Sequence, residues 1–91
     1  MNREEASKMV LDILNEQFRR TDCKEETGLR TDWMATSIDE MEFMLDIEYK
    51  TGMELFDDIK TVHVETPKQI IDLIMEKQPN NEKIRQNHSK R

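Results

Sequence analysis

Only 20 of the 91 residues are Leu, Ile, Val or Phe, while 34 carry a charge. That balance lies just above the level at which a charged chain stays disordered, so any core must be small and nearly every large apolar side chain must serve it. Ninety-one residues leave no room for a second domain. Two Gly and two Pro are too few for a sheet built from many turns. The apolar residues recur instead at spacings of three and four, the period of a helix with one buried face. The expectation is an all-α fold, a small antiparallel bundle of three to four helices over residues 1–78, followed by a basic tail, 79–91, expected to be mobile.

The first helix should run from about Arg3 to Arg20, with Ala6, Met9, Val10, Ile13, Leu14 and Phe18 on its inner face. Glu4 and Glu5 fall in its first turn and Arg19 and Arg20 in its last, each suited to the helix dipole. Residues 21–36 have no steady period, and sixteen residues is long for a connection in a compact domain. Leu29 and Trp33 are the expected pins that hold it down. Leu55 and Phe56 should pack inward, and Ile59, Val62 and Val64 suggest a short helical turn or an irregular link. Thr66-Pro67-Lys68-Gln69 is a helix start, with Thr66 as cap, Pro67 in the first turn and Gln69 returning the bond. Ile70, Ile71, Ile74 and Leu73 give that last helix its inner face, and Pro79-Asn80-Asn81 ends it.

The middle helix carries the functional signal. Ser37 followed by Glu40 fits a capping box, in which the serine oxygen accepts a backbone N–H and the acid returns the bond. Gly52 is placed to end the helix after Thr51. On a helical wheel Phe43 and Ile47 fall together, with Met44 within reach. Ile38, Met41, Leu45 and Tyr49 form a separate stripe flanked by Glu42 and Glu48. One small core can use only one of the two stripes fully. The other is left partly exposed among acids, as a docking surface would be.

Charge points the same way. Residues 1–78 hold 10 basic residues against 19 acids, and residues 37–58 hold eight acids against Lys50 alone. Such a face repels nucleic acid and anionic membrane and favours partners with basic surfaces. No run is long and apolar enough to insert in a membrane, and "MNREEASKM" lacks the apolar core of a signal peptide. Cys23 is the only cysteine, so there is no internal disulfide and a reducing cytoplasm is the simplest setting. Cys23 has no partner that marks it as a nucleophile. His63 and His88 lack zinc-ligand spacing, and Asp57 and Asp58 do not make a calcium loop. No catalytic set stands out, so an enzyme is not expected.

A long first loop and a serine opening an acidic second helix resemble an acyl carrier protein. That family attaches 4′-phosphopantetheine to the serine of an Asp-Ser-Leu motif followed by an acid, two positions and another acid. Ser37, Ile38, Asp39, Met41 and Glu42 stand in that order here. Glu54, Leu55 and Asp57 match the family's segment after the second helix, and the likeness covers roughly residues 4–77. The chain departs from the pattern at Met34, where the family usually has Gly, and at Thr36, where it has Asp. It departs again at Thr51, in the place of an aromatic residue, with Tyr49 two residues earlier.

The resemblance implies that Ser37 carries phosphopantetheine and that acyl or related groups, whether fatty acyl, polyketide or aminoacyl, ride on it as thioesters. It implies a phosphopantetheinyl transferase as one partner, and acyl-transferring or synthase enzymes with basic docking surfaces as others. Ile38, Asp39, Met41, Glu42, Leu45 and Glu48 would meet those partners, and the protein would act as a monomer. The alternative is a carrier-like helical interaction module that is not phosphopantetheinylated.

Overall fold

The computed structural model describes residues 1–56 and 64–78. They form three helices, α1 (Arg3–Phe18), α2 (Ser37–Thr51) and α3 (Pro67–Lys77), with no strand among the described residues. The expected link at Ile59 and Val62, the residues Asp57, Asp58 and His63, and the expected stop and tail, residues 79–91, lie outside them. No described helix is long and apolar enough to cross a membrane.

α1 is packed against both of the other helices. Its inner face is the one the spacing predicts, with Ala6, Val10, Ile13 and Leu14 buried and Met9 and Phe18 partly so. Asn2 caps it: Asn2 Oδ1 accepts the Glu5 N–H at 2.8 Å, and Glu5 returns the bond to the Asn2 N–H. At the other end the helix stops two residues earlier than the charge pattern suggests. Arg19 takes a left-handed conformation (φ 57°), and the N–H groups of Arg19 and Arg20 donate to the carbonyls of Glu16 and Asn15. This closes the last turn and swings the chain back beneath α1, where the Cys23 N–H donates to Asn15 Oδ1. Arg20 therefore pairs with Asp22 and lies 4.7 Å over the Trp33 ring instead of completing the helix.

α2 contributes Phe43 and Ile47 to the core, and α3 contributes Ile70, Ile71 and Ile74, with Leu73 half-buried. Leu29, Leu55, Phe56 and Val64 from the connecting segments complete it. Burial of each large side chain is worth roughly 2 kcal/mol, so a core this small depends on having its members fully sealed. Phe43, Leu14, Leu29, Ile47, Leu55 and the three isoleucines of α3 are all below 2 % exposed.

The long first loop is fastened along its length. Leu29 is wholly buried, its N–H donates to the Glu65 carbonyl, and the Ala35 N–H closes back on Leu29. The Lys68 N–H donates to the Glu25 carbonyl at 2.9 Å. Arg3 divides its guanidinium between Glu25 (3.0 Å) and Asp72 (2.7 Å), tying loop and α3 to the start of α1. Trp33 is half-buried against Phe18, ring centroids 5.3 Å apart. At the head of α3, Gln69 Oε1 accepts the Thr66 N–H at 3.2 Å, and Pro67 occupies the first helical position.

Candidate functional site

The start of α2 differs from the expected capping box by one residue. Thr36, not Ser37, is the cap: its backbone is extended (φ −92°, ψ 174°) and its hydroxyl accepts the Asp39 N–H at 3.1 Å. Asp39 Oδ2 returns the bond to the Thr36 N–H at 2.9 Å. Ser37 is thereby the first helical residue. It is exposed, and its hydroxyl makes no hydrogen bond among the described residues. The two consecutive hydroxyl residues divide the work, one sealing the helix and one facing solvent beside the unpaired N–H groups of the first turn.

Glu40, the expected partner of a Ser37 cap, points inward instead. Its Oε2 accepts the buried Val64 N–H at 2.6 Å, and its Oε1 lies 3.9 Å from Arg30 Nη1. A buried amide is thus satisfied by a charged acceptor, a stronger bond than a neutral one. Glu40 joins α2 to the segment entering α3 and is unavailable to a partner.

Two stripes separate along α2 as the wheel predicts. Phe43 and Ile47 are fully buried, whereas Ile38, Met41, Leu45 and Tyr49 are 75 %, 62 %, 61 % and 84 % exposed. Met34, just before the helix, is 74 % exposed as well. Glu42 and Asp46 stand exposed on the same helix, and neither has an ion-pair partner among the described residues. With Ile13, Glu16, Gln17 and Lys50 they line an open groove of about 310 Å³ between α1 and α2. Gln17 Nε2 donates to the Asp39 carbonyl at the head of α2.

Glu48 plays a second part. One of its oxygens accepts the Leu55 and Phe56 N–H groups, at 2.7 and 3.1 Å. It latches the chain beyond Gly52, whose left-handed φ of 70° ends α2. Of the expected docking residues, Ile38, Met41, Glu42 and Leu45 are open to a partner. Asp39 is half-buried in the cap, and Glu48 is engaged in the fold.

Met34 has φ 60°, a left-handed conformation that favours glycine and costs other residues about 1 kcal/mol. This is a position the motif reading had flagged, and the backbone supplies the reason a glycine suits it. Cys23 is buried, and burial pushes its thiol up to about 11, so at neutral pH it is a protonated packing group. Among the described residues no cluster of His, Cys, Asp and Glu could hold a metal ion.

Sequence reasoning missed Thr36 and Glu40. The signal for Thr36 was present, because Thr36-x-x-Asp39 is as good a box as Ser37-x-x-Glu40. Comparison with known proteins adds nothing to either reading: no protein-family model, no curated protein and no solved structure matches this chain.

Proposed function

We propose that this chain is an acyl carrier protein, an antiparallel helical bundle that holds acyl or related intermediates as thioesters on a 4′-phosphopantetheine arm attached to Ser37. The observation that carries the reading is the Ser37 hydroxyl. It is exposed, released from capping by Thr36, and set at the head of a stripe of exposed apolar side chains with acids beside it. A swinging arm needs such a hydroxyl on a rigid base, approachable from several sides. Its phosphodiester would lie near the positive end of α2. The thiol chemistry belongs to the arm, and the protein supplies orientation and recognition.

In this reading Ile38, Met41 and Leu45 meet partner enzymes through apolar contact, and Glu42 meets their basic residues, while Asp39 and Glu48 hold the two ends of α2. Charge complementarity of this kind speeds encounter and keeps each complex brief and sensitive to salt. The partners are a phosphopantetheinyl transferase and enzymes that load, elongate or remove the cargo. The left-handed Met34 supports the likeness, because the backbone there has the conformation glycine would adopt.

A second reading, a carrier-like interaction module without the arm, draws on Thr36. A threonine reproduces the cap that an aspartate would make but not its charge. The two readings part in a cell that depends on this chain. Replacing Ser37 with Ala removes the hydroxyl and leaves the Thr36 cap intact. Loss of function with normal protein levels supports the carrier, and full function rejects it.

A further inference from the structure

The groove between α1 and α2 offers hydrogen-bond acceptors that the fold itself does not use. We propose that it seats an arginine side chain of a partner protein, with the guanidinium bonded among Glu16, Glu42, Asp46 and Gln17 and the aliphatic stem against Ile13.

Charge is the first support. The groove is lined by three exposed carboxylates, Glu16 from α1 and Glu42 and Asp46 from α2, against the single cation Lys50. None of the three has an ion-pair partner among the described residues, and Lys50, one turn beyond Asp46, makes no salt bridge with it. Glu42 and Asp46 stand four residues apart on one helix, a spacing at which like charges oppose the helix. A cation placed between them removes that repulsion.

The second support is an unmade hydrogen bond. Gln17 lines the groove, and its Nε2 donates to the Asp39 carbonyl at 2.9 Å, which fixes the amide. Its Oε1 is buried and accepts no hydrogen bond among the described residues. A buried acceptor without a donor carries its desolvation cost uncompensated. A donor brought into the groove relieves it.

The lining selects the kind of cation. Ile13 belongs to the core and also borders the groove. Arginine has an apolar stem to lay on it and a planar head whose five donors can be divided among carboxylates and an amide oxygen. Lysine brings three donors on a compact, strongly hydrated charge. A metal ion is a poorer occupant still, because among the described residues no cluster of His, Cys, Asp and Glu could hold one.

Glu42 also flanks the exposed stripe of α2, so a partner lying over Met41 and Leu45 sets its arginine in the groove in the same encounter. α1 thereby joins the docking face. The groove requires nothing on Ser37, so this contact stands or falls apart from the carrier reading.

The test is an NMR titration of the full chain at low salt with N-acetylarginine amide. The neutral isostere N-acetylcitrulline amide and the α-N-acetylated lysine amide serve as comparisons. The arginine compound should give saturable shifts centred on Ile13, Asp46 and the side-chain amide of Gln17. The lysine compound should bind more weakly and the citrulline compound should give no saturable shift. The double variant Glu42→Gln, Asp46→Asn should weaken binding about tenfold, whereas Glu4→Gln, an exposed acid outside the groove, should leave it unchanged. Lys50→Gln removes the resident cation and should tighten binding about twofold. Shifts that never saturate and spread evenly over the exposed acids would overturn the proposal. So would equal binding of the lysine or citrulline compound, or full binding by the double variant.

Discussion

Thr36 and Ser37 are adjacent hydroxyl residues with opposite tasks, and single substitutions should separate them. Thr36→Ala removes an oxygen that accepts the Asp39 N–H and should cost about 1 kcal/mol of stability. Ser37→Ala removes a hydroxyl with no partner in the described fold, and its effect should stay within about 0.5 kcal/mol. Urea unfolding of the two variants beside wild type checks both values. A larger loss at Ser37 than at Thr36 would return the cap to the serine. The sequence could not decide between these residues, because each is followed at the third position by an acid. The choice was made at long range: the Val64 amide needs a buried acceptor, Glu40 supplies it, and only Asp39 remains to close the box.

Among the elements, α1, α2 and α3 were legible in their periodicity, and the inner faces of all three are those the spacing predicts. Their ends were less so. α2 ends at Gly52, as a glycine there suggests, but α1 ends at Phe18 through a left-handed arginine that no residue preference announces. Burial of Leu29 could be anticipated from an isolated apolar residue in a polar loop, whereas the Arg20–Trp33 stacking could not. The exposed stripe was legible because one helix cannot bury two faces in one small core. Glu48 was read as part of the docking face, yet one of its oxygens holds the Leu55 and Phe56 amides. Side chains that satisfy distant backbone groups are invisible to a helical wheel. Glu40→Ala should show the weight of such a bond. Leaving the Val64 N–H buried without an acceptor should destabilise the protein by about 2 kcal/mol, while Glu42→Ala on the exposed side should change stability by less than about 0.5 kcal/mol. Chemical denaturation distinguishes them, and equal losses would mean that Glu40 is not the link between α2 and the approach to α3.

For the whole molecule, the ion-pair cluster that joins α1, the first loop and α3 gives stability a defined dependence on pH. The Ser7 hydroxyl and then the Arg3 guanidinium hold the Glu25 carboxyl below its usual range. Arg3 and then Lys68 do the same for Asp72. Both acids are lower in the folded chain than in the unfolded one. Their contribution is therefore complete above the ordinary carboxylate range and is lost as pH falls through the depressed folded values. The pairs are substantially exposed, so the effect should be modest and should shrink in salt. Stability measured from pH 6 down to pH 2 should fall across this window, and Arg3→Gln should make the fall shallower. An unchanged slope in Arg3→Gln would mean that other carboxylates set the acid limit.

At the same scale, the net acidity of residues 1–78 and the exposed apolar stripe of α2 are the features on which the proposed working surface rests, with Ser37 at its head. The central claim is that a phosphopantetheine arm is attached to that serine, and intact mass tests it directly. Wild type and Ser37→Ala would each be incubated with coenzyme A and a panel of phosphopantetheinyl transferases, with circular dichroism to establish that both are folded. The account predicts a gain of one phosphopantetheine on wild type and none on Ser37→Ala. A folded wild type that gains nothing from any of the transferases, or a Ser37→Ala protein that gains the same mass, would contradict it.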